Sequence, residues 1–226
     1  MRYLILIIFA VLIITSCGIF DSNDNNVQEN VLQPLTVGNW WDYEVRQSQW
    51  ENPAVDTIRY EVTAEVPVTV EGASHTAFAF NLLPFPEGMP EYYWLYRNTE
   101  DGLYTMGGVA ETDTLFIQNI DKKYPAEIGE TWESSQISFS RSDLEFYIND
   151  TLKITVVDTD REVETPAGTF RCIVYHFDLS AGDDVAGRLD YFQFYSPGVG
   201  LIKQEERTGS NNHLFTELVL IGYHVQ

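Results

Sequence analysis

The sequence predicts an all-β protein, an antiparallel half-barrel or two-sheet sandwich of about 11–12 strands with little helix. Three observations carry this expectation. Apolar and polar residues alternate in Thr57–Ala64, Leu152–Val157 and Leu189–Tyr195, runs rich in Val, Ile, Thr, Tyr and Phe; a period of two is the mark of a half-buried strand. Turn residues punctuate the chain between such runs, as at Glu71-Gly72, Pro84–Gly88, Glu100–Gly102, Gly107-Gly108, Ala181–Asp184 and Gly209–Asn212. No segment after residue 33 carries a helical period with caps. The nearest is Ser140–Ile148, where Ser142 and Glu145 offer a capping box for one short helical turn.

In chain order, the first element is the apolar run Tyr3–Ile14, preceded by Arg2 and followed by the small residues Thr15 and Ser16. It falls short of the roughly 20 residues a bilayer-spanning helix needs. A charged start, an apolar middle and a small-residue end make residues 1–16 a secretory signal. Ile14-Thr15-Ser16-Cys17 resembles the bacterial lipobox. That resemblance implies a diacylglyceryl group on the Cys17 thiol, cleavage before Cys17 and acylation, for instance by palmitate, of the new amino group. One acyl chain anchors only reversibly, whereas two or three anchor stably. The residue after Cys17 is Gly18 and not Asp, which under the enteric sorting rule directs a lipoprotein to the outer membrane, facing the periplasm or the cell surface.

Removing the signal leaves 210 residues, with 12 basic side chains against 34 acidic ones, a net charge of −22. Nucleic-acid binding rests on neutralising phosphates with Lys and Arg, so this balance argues against it. Self-repulsion and solubility are its plain consequence. Of the two cysteines, Cys17 is assigned to lipid, and Cys172 stands alone in the strand-like run Phe170–Phe177. A lone Cys among apolar neighbours reads as a small buried hydrophobe. His176, four residues on, shares its strand face at roughly 13 Å, too far for a hydrogen bond.

Residues 17–33 read as the lipidated Cys and a flexible tether, since Asp21–Asn30 is polar and without period. Asp21-x-Asn23-x-Asn25 opens like a calcium-binding helix-loop-helix motif. Asn26 then stands where Gly is required and Leu32 where the bidentate Glu is required, so the match fails. Residues 34–226 form one β domain. Within it Pro34-x-x-x-Gly38-x-x-Trp41 recurs as Pro125-x-x-x-Gly129-x-x-Trp132. The repeat suggests two related halves, 34–123 and 124–226, each opened by a glycine turn that feeds a strand and plants an indole in the core.

Two further stretches have mechanical readings. In Thr165-Pro-Ala-Gly-Thr169, Pro presets a turn and Gly supplies positive φ, which makes a tight hairpin between strands near 151–163 and 169–179. In Ser196-Pro-Gly-Val-Gly200, Pro197-Gly198 favours a type II turn and Gly200 suits a bulge. Together with Pro34-Leu-Thr-Val-Gly-Asn-Trp-Trp-Asp-Tyr43 and Tyr195–Lys203, these stretches resemble the motifs of TapB-like bacterial envelope lipoproteins, whose activity is unknown. The resemblance runs over most of the mature chain and implies an antiparallel half-barrel or sandwich. A looser likeness to LolA-like lipoprotein carriers implies a concave apolar face. Neither implies catalytic residues.

Catalytic patterns are absent from the sequence. Gly72-Ala-Ser-His-Thr-Ala77 misses the final Gly of a serine-hydrolase elbow, and there is no zinc-protease, phosphate-loop or dinucleotide motif. No cofactor is called for. His75, His176, His213 and His224 are scattered singly. Asp158, Asp160, Glu162 and Glu164 alternate along one expected strand face. They are a candidate calcium comb, or else a charged edge that discourages pairing. The aromatic residues are the leading functional hint. Glu91–Arg97 puts Tyr93, Leu95 and Arg97 on one face and Tyr92, Trp94 and Tyr96 on the other, and Tyr191, Phe192, Phe194 and Tyr195 divide similarly. Tyr93, Trp94, Tyr96, Tyr191 and Tyr195 are therefore candidates for an apolar ligand surface that takes a hydrophobic small molecule, a glycan or a protein partner. The expected role is non-enzymatic binding or structure in the envelope; the alternative is an envelope hydrolase using an Asp/Glu pair.

Overall fold

The computed structural model describes residues 31–47, 56–83, 91–140, 145–178, 189–208 and 213–226. Cys17 and the apolar run before it lie outside these. Among the described residues there are twelve strands and no helix: β1 (Trp40–Gln47), β2 (Asp56–Val70), β3 (Ala73–Leu83), β4 (Tyr92–Thr99), β5 (Gly102–Ala110), β6 (Thr114–Lys123), β7 (Thr131–Ser140), β8 (Glu145–Thr165), β9 (Gly168–Asp178), β10 (Leu189–Ser196), β11 (Gly200–Thr208) and β12 (His213–His224). They form one antiparallel sheet in the order β6-β5-β4-β3-β2-β1-β12-β11-β10-β9-β8-β7. Chain neighbours pair throughout, and β1 pairs with β12. A single sheet excludes the sandwich and leaves the barrel alternative.

The sheet is rolled almost shut. Laid flat, its edge strands would stand roughly 50 Å apart, yet β6 touches β7 and β8. No backbone ladder joins this seam; side chains do. The Asn119 carboxamide donates to Ser134 Oγ and to the Ser135 carbonyl, both at 2.7 Å, and accepts from Ser135 N at 3.4 Å. One side chain thus copies the paired donor and acceptor of a strand residue. Asp113 Oδ2 accepts from Phe146 N at 2.6 Å, and Lys123 Nζ reaches Glu130 at 2.7 Å.

Both copies of the Pro-x-x-x-Gly-x-x-Trp motif form the same turn. Gly38 and Gly129 both adopt positive φ, +94° and +85°. Gly38 N donates to Val62 O at 2.8 Å, Asn39 N to Thr36 O at 3.0 Å and Val62 N to Asn39 O at 2.9 Å; Gly129, Glu130 and Val156 repeat these bonds at the same three distances. A six-strand meander follows each turn. The β12–β1 junction and the β6–β7 junction are therefore equivalent places, one laddered and one open.

Two apolar clusters hold the fold. The larger gathers Trp41, Tyr43, Ile154, Tyr175, Ile202 and Leu220 from both halves. Trp41 Nε1 donates to Val199 O at 2.6 Å and Tyr43 OH to Leu201 O at 2.7 Å, so each buried ring also satisfies its polar atom. A smaller cluster, with Val68, Ala77, Ala79, Leu95 and Met106, lies on the other face of β2–β5. The chain is already packed at Leu32 and Gln33, 1% and 4% exposed, residues that composition alone assigns to the tether.

Glu71-Gly72 and Glu100-Asp101 are turns as expected, whereas Gly107-Gly108 lies inside β5 and not in a turn; Pro84–Gly88, Ala181–Asp184 and Gly209–Asn212 lie outside the described residues. Thr165 and Gly168 close a two-residue hairpin, and Val199 N donates to Ser196 O across Pro197-Gly198, with Gly198 at φ +76°. Two further expectations are corrected. Glu145–Ile148 belong to β8, pairing with Ile137–Ser140, and not to a helical turn: the ladder outweighs one capping box. Ser142 lies outside the described residues. In β11 the bulged residue is Ile202, not Gly200, because Tyr195 pairs with Leu201 and Phe194 with Lys203. Gly200 serves space instead. A Cβ there would stand 2.4 Å from Gln33 Oε1, and its φ of +105° suits glycine.

Candidate functional site

The inner surface of the roll, formed by residues of successive strands, borders a partly open cavity of about 590 Å³. This lies within the range of about 300–1,000 Å³ usual for small-molecule sites. Tyr43 of β1, Tyr60 of β2, Phe80 of β3, Trp94 and Tyr96 of β4, Phe177 of β9, and Tyr191 and Tyr195 of β10 supply aromatic walls. The rings pack in separate groups. Tyr60 stacks on Phe80 at 5.2 Å between centroids, Phe80 meets Tyr96 edge-on at 5.5 Å, and Phe177 meets Tyr191 edge-on at 5.4 Å. Burial pushes the Tyr60 phenol up to about 12. Tyr43, Tyr96, Tyr191 and Tyr195 are raised too, first by burial, and for the last three also by the charge of Asp121. The site therefore presents neutral hydroxyls.

At one wall sits an ion pair. Leu103 pairs with Lys122 and Tyr104 with Ile120, so Asp121 is the extra residue of a β-bulge. Neighbours on a regular strand point to opposite faces; the bulge re-aims one, and both Asp121 and Lys122 line the cavity. Their charged atoms are 2.6 Å apart, with side chains 13% and 3% exposed. Lys122 Nζ also lies 4.8 Å from the centre of the Tyr195 ring and 5.5 Å from that of Phe177.

Two side-chain amides complete the lining. Gln33 Oε1 accepts from Leu201 N at 3.3 Å, and its Nε2 is buried without a partner. Gln193 Nε2 donates to Tyr191 OH at 3.0 Å and to Gln204 Oε1 at 3.2 Å, and its Oε1 is likewise unpartnered. Each such buried atom costs about 1–3 kcal/mol, against a whole-domain stability of about 5–15 kcal/mol. A polar occupant relieves that cost and an alkyl chain does not.

Of the residues singled out from the sequence, Trp94, Tyr96, Tyr191 and Tyr195 come together in this one cavity. Tyr93 is on the opposite face, packed against the smaller cluster. The acidic comb does not gather. Register shifts in β8 at Asp158 break its alternation, Asp158 binds Arg161 at 3.0 Å, and Asp160 and Glu162 share Arg171 at 3.4 and 3.3 Å. Among the described residues no group of His, Cys, Asp and Glu could hold a metal ion. The carboxylates lining the cavity are Asp121 and Glu206, and the first is tied to Lys122. Cys172 is fully buried, its thiol pushed up to about 12 by burial. His176 instead pairs with Asp190 at 3.0 Å and stacks on Phe192. The sequence did not point to Asp121, Lys122, Gln33 or Gln193. An Asp-Lys neighbour pair in a strand is visible in sequence, but the bulge that turns both inward is not.

Comparison with known proteins places the fold. Residues 121–220, from the bulge in β6 into β12, match the model of the DUF3108-like family. A Bacteroides fragilis protein described as exported, with a YmcC-like fold, superposes with a TM-score of 0.53 at 13% identity, covering 86% of this chain and 99% of that one. A Parabacteroides distasonis protein described as a lipoprotein aligns over the same shares at 16% identity with a TM-score of 0.44. These matches carry neither the TapB-like nor the LolA-like designation. No curated protein matches the chain significantly. At such identity the first likeness establishes a shared fold and nothing more.

Proposed function

We propose that the chain is an exported bacterial lipoprotein, moored to the outer membrane through acylated Cys17, that holds a small molecule inside its roll without catalysing its conversion. The observation that carries the binding reading is the cavity itself: about 590 Å³, walled by aromatic rings, with a buried ion pair and two unpartnered amide atoms. A protein folded only for stability fills such a space with side chains, because interiors are close-packed. The mooring rests on Ile14-Thr15-Ser16-Cys17 and the signal before it. The description of the fold's Bacteroides relative as exported agrees with it.

Native mass spectrometry of protein extracted from its own membranes tests both parts. The expected mass starts at Cys17, carries acyl chains and includes a non-covalent adduct. A mass for the unprocessed, unacylated chain would overturn the mooring, and an acylated protein that is always empty would overturn the binding. Replacing Cys17 by Ser gives a second check: the variant is expected to leave the membrane fraction in a carbonate wash, and its retention would sink the anchor.

A further inference from the structure

We infer that the roll is built for a neutral saccharide, a hydroxylated ring gripped between aromatic faces; this rests on the binding reading above and adds the class of ligand. The walls supply the first argument. The C–H faces of a sugar ring are apolar and suit the faces of Trp94, Tyr96 and Tyr191, while its rim is studded with hydroxyls.

The polar inventory supplies the second. Gln33 Nε2 is a buried donor without an acceptor, and Gln193 Oε1 a buried acceptor without a donor. Among the described residues, the cavity-lining hydroxyls of Tyr60, Tyr96 and Tyr195 make no hydrogen bond. Donors and acceptors are thus interleaved on one surface. A ligand hydroxyl donates once and accepts twice, so a polyol answers both kinds of group. A hydrocarbon chain answers none.

Charge supplies the third argument. Among the described residues, the lining holds Asp121 and Glu206 against the single cation Lys122, whose ammonium is already 2.6 Å from Asp121. The whole chain carries a net charge of −21. Phosphates, uronates and fatty-acid carboxylates are repelled by this field, whereas a neutral sugar is indifferent to it and can use both members of the ion pair as hydrogen-bonding groups.

The test is calorimetric titration of the full chain in lipid nanodiscs, with empty nanodiscs subtracted. The neutral probes are maltose, cellobiose and N,N′-diacetylchitobiose; galacturonate and dodecanoate are the contrasts. We expect at least one neutral disaccharide to bind, galacturonate to stay unbound, and Gln193→Leu to weaken the disaccharide at least tenfold without lowering the melting temperature. Should that variant fail to fold, Tyr96→Phe, which deletes one oxygen and keeps the ring, carries the same expectation for binding. Disaccharide binding unchanged in the folded variant would place the sugar elsewhere and overturn the site. Dodecanoate bound with no saccharide bound would overturn the ligand class while leaving the binding reading intact. No probe bound at millimolar concentration would bring down the binding reading with it.

Discussion

At the scale of single residues, the strongest constraints come from atoms that have nowhere else to go. Gly200 gives way to Gln33, and Gln33 in turn caps Leu201 N. Gly200→Ala is therefore expected to cost about 2–4 kcal/mol, from positive φ and the clash together, as read by denaturant unfolding. Gly129→Ala, at φ +85° with nothing within 4 Å of an added Cβ, is expected to cost only about 1 kcal/mol. Equal losses would mean that the contact with Gln33 is unimportant. The buried phenols make a different statement, about pH. Unfolded tyrosine ionises near 10, while folded Tyr60 is held up to about 12 by burial, and Tyr43, Tyr96 and Tyr195 are raised as well. The unfolded state loses these protons first, so stability is intact below pH ~10 and falls as pH rises beyond it, by about 2–3 kcal/mol from Tyr60 alone at pH 12. Alkaline melting curves followed by phenolate absorbance near 295 nm check this: ionisation and unfolding should coincide. Phenols that titrate near 10 in the folded protein would show that the cavity is open to bulk water.

At the scale of elements, the β11–β12 pair shows how an acidic chain tolerates its own charge. Glu205 and Glu217 are direct cross-strand partners, both less than 10% exposed, and like charges so placed repel. Lys203 lies between them, 2.8 and 2.6 Å from their carboxylates, and Arg207 adds a bond to Glu205 at 2.6 Å. Burial pulls the Glu205 carboxyl upward, but the bonds to Lys203 and Arg207 outweigh it and leave the carboxyl below its ordinary value. A depressed carboxyl stabilises the fold above its unfolded pKa, and that contribution fades as pH falls through the folded one. Lys203→Ala is expected to cost roughly 1–3 kcal/mol at neutral pH, with the deficit narrowing in acid as Glu205 protonates. A deficit constant from pH 7 to pH 3 would place the lysine's role in packing. Elements of this kind were partly legible in the sequence. The alternation of Leu189–Tyr195 gave β10 and the proper grouping of Tyr191 with Tyr195, and Thr165–Thr169 gave its hairpin. What hid was every place where a strand departs from a period of two. The bulge at Asp121, the shifts along β8 and the extra residue at Ile202 change which side chains face inward, and a bulge of this kind is set by pairing with a partner strand.

For the whole molecule, the organising fact is a sheet of two six-strand meanders, laddered together at β1–β12 and without a ladder at β6–β7. The repeated Pro-x-x-x-Gly-x-x-Trp motif marked both entry turns, because the same turn needs a glycine at the same place. The single seam was not legible, since both junctions are built from strands of similar composition. At β1–β12 a ladder with one bulge, at Ile221, runs from Trp40–His224 to Gln47–Thr216, whereas at β6–β7 the side chain of Asn119 stands in for a ladder. Opening the first junction breaks a run of backbone hydrogen bonds, and opening the second breaks a few side-chain bonds, each of net worth about 0.5–1.5 kcal/mol. The seam is also where the cavity comes nearest to a strand edge, with Asp121 and Lys122 on one side and Ser135, Ile137 and Ser138 on the other. On the binding reading proposed above, the parting of β6 from β7 is the expected route for a ligand into the roll. Asn119→Ala removes the bridging carboxamide and leaves the cavity walls in place. It is expected to lower stability by about 1–2 kcal/mol and to raise the rate of ligand exchange several-fold at nearly unchanged affinity. Hydrogen exchange should show faster opening at Asn119–Lys122 and Ser134–Ser138, with β1 and β12 still protected. If protection is lost first along Trp40–Gln47 instead, the working junction is the laddered one, and the seam is only where the sheet ends.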